Sequence, residues 1–270
     1  MLYLGGMTIV RRPELLAVAV AAAAVIAARP APGIPAATEH SAAARTGVRH
    51  GTTTSSNWAG YASTGRTFAA VSATWIQPAA SCTGGSTSAA FWVGLGGFTD
   101  GSRAIEQIGT EVNCDGPNAS YAAWYELLPA PSVYLNLPVA PGDKLSAVVM
   151  VTGHTVFLRL RNVTRNAVFA RKLRLAAPDR SSAEWVAEAP AVCSALGTCH
   201  TLPLANFGRV VFTHAVASAR GHTGKITDPR WSASAIELRT ETSTGSAALP
   251  SPLAAAGSAF AITWQPPPSS

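Results

Sequence analysis

Charged side chains are scarce in this sequence. Asp, Glu, Lys and Arg make up 13% of the 270 residues, about half the share of an ordinary soluble domain. Such a low content of charge argues against a disordered chain and against a coiled coil. The apolar share is 48%, which is enough for one large hydrophobic core. Low charge with many Ala, Ser, Thr and Gly residues suits an exported, β-rich protein.

The sequence also lacks a basic stripe. The formal net charge is +6, but several of the cations lie near the N-terminus, at Arg11, Arg12, Arg29, Arg45 and Arg49. No run of Lys and Arg alternates with exposed aromatic residues, as a nucleic-acid surface would require. We therefore expect no nucleic-acid partner.

The common hydrolase signatures are missing as well. There is no Gly-x-Ser-x-Gly and no His-Glu-x-x-His, which argues against α/β-hydrolases and excludes zincins. Asp100-Gly101-Ser102 has the wrong order for a pepsin-like turn. The glycine-rich stretch 94–97 does not open a helix, so a phosphate-binding loop is disfavoured. We expect neither a cofactor nor a metal ion.

No hydrophobic run is long enough for a comfortable membrane span. Leu15–Ala28 is apolar but short, and it follows Arg11 and Arg12, which is the pattern of an export signal. We predict a signal peptide over 1–28, a spacer or short propeptide over 29–55, and secretion without stable membrane association. An uncleaved N-terminal anchor is the alternative. A further hypothesis is that 29–55 covers the substrate site in a precursor.

The chain contains four cysteines, at Cys82, Cys114, Cys193 and Cys199. Export permits disulfides, and four cysteines allow three pairings. Proximity favours Cys193–Cys199, which leaves Cys82–Cys114. A metal site using His200 beside Cys199 is a weaker alternative, because it lacks a second close pair of ligands.

Short strand patterns recur from Trp58 to Trp264, and they are separated by Gly, Pro, Asn or Asp. Val156, Leu158 and Leu160 alternate with Arg159 and Arg161, as on a half-buried strand. No convincing helix longer than two turns is visible. The pattern predicts an all-β, antiparallel sandwich or barrel in one domain, over 56–266.

Five motifs carry aromatic and polar residues in a fixed order. They are Asn57-Trp-Ala-Gly-Tyr61, Phe91-Trp-Val-Gly-Leu-Gly-Gly97, Gln107-Ile-Gly-Thr-Glu111, Tyr121-Ala-Ala-Trp-Tyr-Glu126 and Ala183-Glu-Trp-Val-Ala-Glu188, and Leu204-Ala-Asn-Phe-Gly208 follows them. In these motifs the sequence resembles the eqolisins, the glutamic peptidases of the A4 type, and in particular a secreted bacterial member. The resemblance runs through nearly the whole chain after residue 56.

The resemblance implies a lectin-like (concanavalin A-like) sandwich of two antiparallel sheets, with a concave substrate cleft. It implies endopeptidase activity at acid pH on polypeptide substrates. The catalytic residues of the family fall on Gln107 and Glu184, the substrate-lining tryptophan on Trp92, and a supporting acid on Glu111. By their place in the motifs we add Trp124, Tyr125, Glu126 and Glu188 as residues lining the cleft. We expect a monomer.

These residue types suit amide hydrolysis. A carboxylate at Glu184 can take a proton from water and later pass it to the leaving amine. The Gln107 amide has an acceptor that orients the water and donors that stabilise the oxyanion. A glutamate carboxyl ordinarily titrates at a pKa of about 4.3, so activity in mild acid is expected. Glu188 shares a strand face with Glu184 and is the second choice for the base.

Other interpretations fit the same residues. Glu184 and Gln107 could each be polar residues on a solvated sheet face, since exposed glutamates are common. Trp92, Trp124 and Trp185 could be core residues rather than substrate contacts. The whole domain could be a carbohydrate- or peptide-binding sandwich without activity, because such folds host binders as readily as enzymes.

Overall fold

The protein is built from strands. The computed structural model describes residues 38–39, 51–193, 199–240 and 247–267. Within these residues there are nineteen strands and no helix, and hence none long and apolar enough to cross a membrane. The first ten are β1 (Thr38–Glu39), β2 (Thr52–Ser55), β3 (Trp58–Thr64), β4 (Phe68–Ile76), β5 (Ser86–Gly96), β6 (Ile105–Asp115), β7 (Asn118–Leu127), β8 (Val133–Leu135), β9 (Lys144–Thr152) and β10 (Thr155–Asn162). The others are β11 (Ala167–Arg174), β12 (Ser182–Glu188), β13 (Ala191–Cys193), β14 (Cys199–Thr201), β15 (Arg209–Ala219), β16 (His222–Lys225), β17 (Ser232–Leu238), β18 (Ala248–Pro250) and β19 (Phe260–Trp264).

One sheet of 16 strands makes up most of the fold. Its main path runs β11-β10-β9-β4-β15-β19-β18-β17-β3-β12-β5-β6-β7-β8, with β16 paired to β15 and β2 to β17. All described pairings in it are antiparallel except β2–β17, which is parallel. A separate sheet of three short strands has the order β1-β13-β14. The predicted all-β antiparallel class is confirmed, but the strands follow one hydrogen-bonded path instead of forming two separate sheets.

The large sheet folds over on itself, and β4 and β9 of one half contact β5, β6 and β12 of the other. The main hydrophobic core lies between these halves. In β10, Val156, Leu158 and Leu160 are fully buried while Arg159 and Arg161 are exposed, as the alternation predicted. Each such aliphatic side chain contributes roughly 1.5–3 kcal/mol by leaving water.

The strands β5, β6 and β12 differ from β10, because they are buried on both faces. All seven residues of β12 are buried, and so are most residues of β5 and β6. The face turned away from the main core carries a second apolar cluster. The cluster comprises Trp58, Ala62, Ala90, Trp92, Phe98, Ile105, Trp124, Val186 and Ile236. Polar residues on this face are therefore held in a largely apolar environment.

One disulfide, Cys82–Cys114, joins the segment before β5 to the end of β6 and confirms one predicted pairing. In β13 and β14 the backbones of Cys193 and Cys199 lie opposite each other. Their side chains lie outside the described residues, so the second bridge stays a prediction. The predicted signal peptide and most of the predicted spacer also lie outside. The last residues of that spacer, Thr52–Ser55, form strand β2 of the large sheet.

Candidate active site

Gln107 and Glu184 lie in one cross-strand row. Glu184 on β12 is opposite Gly94 on β5, and Gly94 is opposite Gln107 on β6. Directly opposed residues project to the same face of a sheet, so both side chains point toward the second apolar cluster. Adjacent strands are ~4.8 Å apart, which places the two backbones about 10 Å apart with one strand between them. Both residues are fully buried.

The residue between them is a glycine, and its missing side chain keeps the row open. A Cβ at Gly94 would lie 2.9 Å from the Trp92 ring and 3.2 Å from the Gln107 Cβ. Gly109, the next residue of β6 on the same face, is crowded in the same way. A Cβ there would lie 2.5 Å from the Cβ of Trp92. The two glycines therefore provide the space that the Trp92 side chain occupies beside the Gln107–Glu184 row.

Glu126 extends the same row, because it lies opposite Gln107 on β7. Gln107 Nε2 donates a 2.6 Å hydrogen bond to Glu126 Oε2. This bond fixes the orientation of the amide group. The buried Gln107 Oε1 accepts no hydrogen bond within the described residues. The amide thus has one donor engaged by Glu126, and a second donor and an acceptor that remain for a ligand.

Trp92 and Glu188 are joined on the same face. Trp92 Nε1 donates to Glu188 Oε2 at 2.8 Å, and Asn57 Nδ2 donates to Glu188 Oε1 at 3.1 Å. The Trp92 ring packs edge-on against Trp58, with 4.9 Å between centroids. Glu188 therefore has a structural task, since it orients the indole of Trp92. It lies four residues along β12 from Glu184, and its cross-strand row is a different one.

Glu111 and Trp124 complete the set on this face. Glu111 Oε1 accepts a 2.9 Å hydrogen bond from the Tyr134 hydroxyl and a short one from Asn113 Nδ2. Trp124 lies opposite Gly109 and opposite Tyr134 of β8. Both Glu111 and Trp124 are fully buried.

Tyr125 is the predicted site residue that the structure places elsewhere. It faces the main core from β7, and its ring stacks on Phe169 with 5.7 Å between centroids. Neighbouring residues of a strand alternate between faces, so Tyr125 and Glu126 point in opposite directions. Trp185 likewise faces the main core and donates from Nε1 to the Ser72 carbonyl at 2.9 Å. Neither side chain belongs to the candidate site.

Glu106, beside Gln107, was not predicted as a site residue, yet it is fully buried on the face toward the main core. Its Oε1 accepts from the Asp179 backbone N–H at 3.1 Å, and its Oε2 has no partner within the described residues. Burial is the main cause that raises the pKa of Glu106, to about 8, and the nearby Asp179 carboxylate adds to the rise. Glu106 is therefore protonated in acid and near-neutral solution.

Four further residues lie on the site face although the sequence patterns did not predict this role for them: Asn57, Trp58, Asn113 and Tyr134. Asn57 and Trp58 belong to a recognised motif, so a signal existed. Asn113 shares strand parity with Gln107 and Glu111, which was also visible. Tyr134 had no signal, because only the pairing of β7 with β8 brings it to Glu111.

The described residues contain no group of three His, Cys, Asp or Glu side chains arranged to hold a metal ion. The site instead has the Gln107 amide and four carboxyl groups, those of Glu111, Glu126, Glu184 and Glu188, in largely apolar surroundings, and Asn57, Asn113 and Tyr134 donate hydrogen bonds to two of these carboxyl groups. Such a set can exchange protons with water and donate hydrogen bonds to a developing anion.

Several known proteins have a similar fold and a related sequence. The Peptidase A4 family matches residues 56–249. Scytalidopepsin B of Scytalidium lignicola is 32% identical over 184 residues, which are 65% of this chain and 68% of that protein. A crystal structure of scytalido-glutamic peptidase with a transition state analog inhibitor has a TM-score of 0.68 at 27% identity. It covers 78% of this chain and 98% of its own. Aspergilloglutamic peptidase from Aspergillus niger, at 23% identity and a TM-score of 0.56 over 66% of this chain and 99% of its own, shares the fold.

The fold, the buried amide and carboxyl groups and these likenesses together define a glutamic endopeptidase, a hydrolase that acts on peptide bonds. The chain belongs to the Peptidase A4 family, the eqolisins.

Proposed function

We propose that Glu184 is the general base and general acid of this peptidase and that Gln107 stabilises the oxyanion. The observation that carries the proposal is the Glu184–Gly94–Gln107 row, which aims both side chains at the same face across a residue without a side chain. A peptide carbonyl held between the two side chains would have the carboxylate on one side and the amide on the other.

The proposed reaction needs no covalent intermediate. The ionised Glu184 carboxylate takes a proton from water as the water oxygen attacks the peptide carbonyl carbon. The carbonyl oxygen becomes an oxyanion that accepts a hydrogen bond from Gln107 Nε2. Glu184 then passes its proton to the peptide nitrogen, the C–N bond breaks, and the amine leaves. Because the base must be ionised, activity should fall when the solution pH drops below the pKa of the Glu184 carboxyl.

Glu126 is proposed as a positioning residue for Gln107 rather than as a substrate contact. Its carboxylate accepts from Gln107 Nε2 at 2.6 Å and so determines which way the amide points. With this orientation, Gln107 Oε1 is available to accept from the attacking water. Trp92, Trp124, Glu111 and Glu188 are proposed to line the substrate subsites around the row.

We further propose that the protein is exported and that residues 1–28 are removed as a signal peptide. The Cys82–Cys114 disulfide supports this, because stable disulfides form in oxidising compartments. N-terminal sequencing of protein recovered from culture medium should give a start after residue 28. Recovery from the cell interior with residues 1–28 still attached would contradict export.

Casein hydrolysis by the purified chain tests the dyad, measured from pH 2 to 7, roughly the carboxylate range, with pepstatin and a chelator as controls. Glu184→Gln should lower kcat by at least ~10³-fold, a size that covers loss of both base and acid functions. The matched variant Glu188→Gln should retain kcat within about ten-fold and mainly raise KM, since Glu188 orients Trp92. If Glu188→Gln lowered kcat more than Glu184→Gln did, the general base would be Glu188.

A further inference from the structure

A cavity away from the Glu184–Gly94–Gln107 row is rich in positive charge. It has a volume of about 150 Å³ and is lined by Arg66, Ala219, Arg220, His222, Arg230 and Trp231. Three arginines, all exposed to solvent, and one histidine thus line one cavity, and none of its lining residues is acidic. Within the described part of the chain, none of the three arginines forms an ion pair. Asp228 interacts electrostatically with Arg230 and His222, but the three arginines outnumber this one carboxylate.

The walls of this cavity are held in place by other residues. Trp231 Nε1 donates to the Lys225 and Ile226 carbonyls, both at 3.1 Å, and the ring packs against Phe68. Asp228 binds His222 Nε2 at 2.6 Å and accepts from the Arg230 backbone N–H at 2.9 Å. The Asp228 carboxylate thus holds two of the residues that line the cavity, His222 and Arg230.

Arg220 occupies a backbone conformation that arginine rarely adopts. Ala219 and His222 are paired, so Arg220 and Gly221 form a two-residue hairpin turn with φ of 50° and 76°. Such turns favour Asn-Gly or Gly-Gly, because a residue with a long side chain is strained at positive φ. A strained arginine at the rim of a cationic cavity indicates that its side chain serves a purpose there.

We propose that this cavity is an anion-binding site for the phosphate or sulfate ester group of a ligand. Guanidinium groups match the oxygens of such groups with paired hydrogen bonds, and three of them supply more positive charge than the one or two negative charges of these esters. The volume far exceeds the roughly 10–15 Å³ that one water molecule requires. It leaves room for the anion and part of the group that carries it. The site is separate from the peptidase dyad.

Thermal unfolding of the full chain tests the proposal, with inorganic phosphate or sulfate replacing chloride at constant ionic strength. Tm should rise saturably with phosphate or sulfate, by about 3–5 °C at ten times the dissociation constant. Acetate should give no rise. A phosphorylated and a sulfated monosaccharide then show which ester binds more tightly. No saturable rise with either anion, or an equal rise with acetate, would overturn the proposal.

Arg220→Gly should change two measured quantities, the Tm and the affinity for the anion. The variant should unfold at a higher Tm without phosphate, because glycine relieves the strain at positive φ. It should also bind the anion at least ten-fold more weakly. Arg230→Ala should weaken binding without raising Tm. Two control variants lie outside the cavity. Asn166→Gly, at φ 51°, controls for the change of backbone at positive φ. Arg161→Ala, which removes an exposed arginine of β10, controls for the change in net charge. If either control variant weakened anion binding as much as Arg220→Gly does, the proposed site would be refuted.

Discussion

At the scale of single residues, the site is organised by hydrogen bonds that orient a few side chains. Glu126 holds Gln107, and Glu188 holds Trp92 and Asn57. Burying a carboxylate costs free energy, but the hydrogen bonds that it accepts from N–H groups are strong and directional. These carboxylates therefore serve the geometry of their neighbours, which separates them from the role proposed for Glu184.

Replacement of Glu126 tests this division of roles. Glu126→Gln keeps the shape of the side chain but removes the charge that strengthens the bond to Gln107. We expect kcat for casein to fall about ten-fold, the equivalent of ~1.4 kcal/mol for a charge-assisted bond, with KM within two-fold. Glu237→Gln removes a carboxylate on β17 and should change neither constant. A loss equal to that of Glu184→Gln would show that Glu126 takes part in proton transfer.

At the scale of strands, the site depends on glycines in the middle of β5 and β6. Glycine ordinarily weakens a strand interior, so its presence there indicates close packing or close approach of another group. At Gly94 the group that approaches is the ring of Trp92. At Gly109 it is the carbonyl oxygen of Phe91 together with the Cα and Cβ of Trp92. The register of three strands thus creates both the row and the space beside it.

Gly94→Ala tests the need for that space. The added methyl group would overlap Trp92, so we expect a loss of about 1–3 kcal/mol in the free energy of unfolding, as for other overpacked cores. At a temperature where the variant is still fully folded, its activity should nevertheless be lower than that of the wild type, because Trp92 and Gln107 must move to make room for the methyl group. Gly116→Asn, in an open turn at φ 56°, should affect neither property. Full activity of Gly94→Ala would show that the row needs no gap.

At the scale of the whole molecule, the Cys82–Cys114 disulfide closes a loop that contains β5 and most of β6. A bridge that spans 32 residues stabilises the fold by about 3–4 kcal/mol through the entropy of the unfolded chain.

The double variant Cys82→Ser/Cys114→Ser should lose stability by that amount and lower Tm by roughly 6–15 °C. Chemical denaturation with and without dithiothreitol measures it. Any sensitivity to dithiothreitol that remains in the variant reports on the second predicted bridge, Cys193–Cys199. An unchanged free energy of unfolding would show that the first bridge does not constrain the unfolded chain.

Glu106 links global stability to pH. Its pKa in the fold is raised to about 8, whereas an ordinary glutamate titrates near 4.5. Below pH 4.5 both states are protonated and stability is unaffected. Between pH 4.5 and 8 the unfolded chain releases a proton that the folded chain keeps, so stability falls as pH rises. The upper bound is several kcal/mol, at ~1.4 kcal/mol per pKa unit.

Glu106→Gln should remove most of this slope, because glutamine does not titrate. Urea unfolding at pH 4, 6 and 8 measures the effect. Glu237→Gln, on β17, should leave the slope as in the wild type. A slope that persists in Glu106→Gln would assign the pH dependence to other groups.

Much of the fold could be predicted from the sequence, because alternation of apolar and polar residues reports burial on one face. The pattern of Val156, Leu158 and Leu160 predicted β10 correctly. It could not show that β12 is buried on both faces, because that depends on which strands and clusters lie above and below it. The same limit explains Tyr125. Its place in an aromatic motif suggested a substrate contact, but strand parity turns it to the main core.

The all-β class, the family and the residue types in the site follow from the amino-acid sequence alone, because ordered motifs and strand periodicity are local properties of the chain. Three further facts follow only from the folded structure: the strands form one folded-over sheet, Gly94 separates Gln107 from Glu184, and Glu126 holds the amide. These facts depend on the pairing register between strands far apart in the chain. A shift of one residue in that register would turn each side chain to the opposite face.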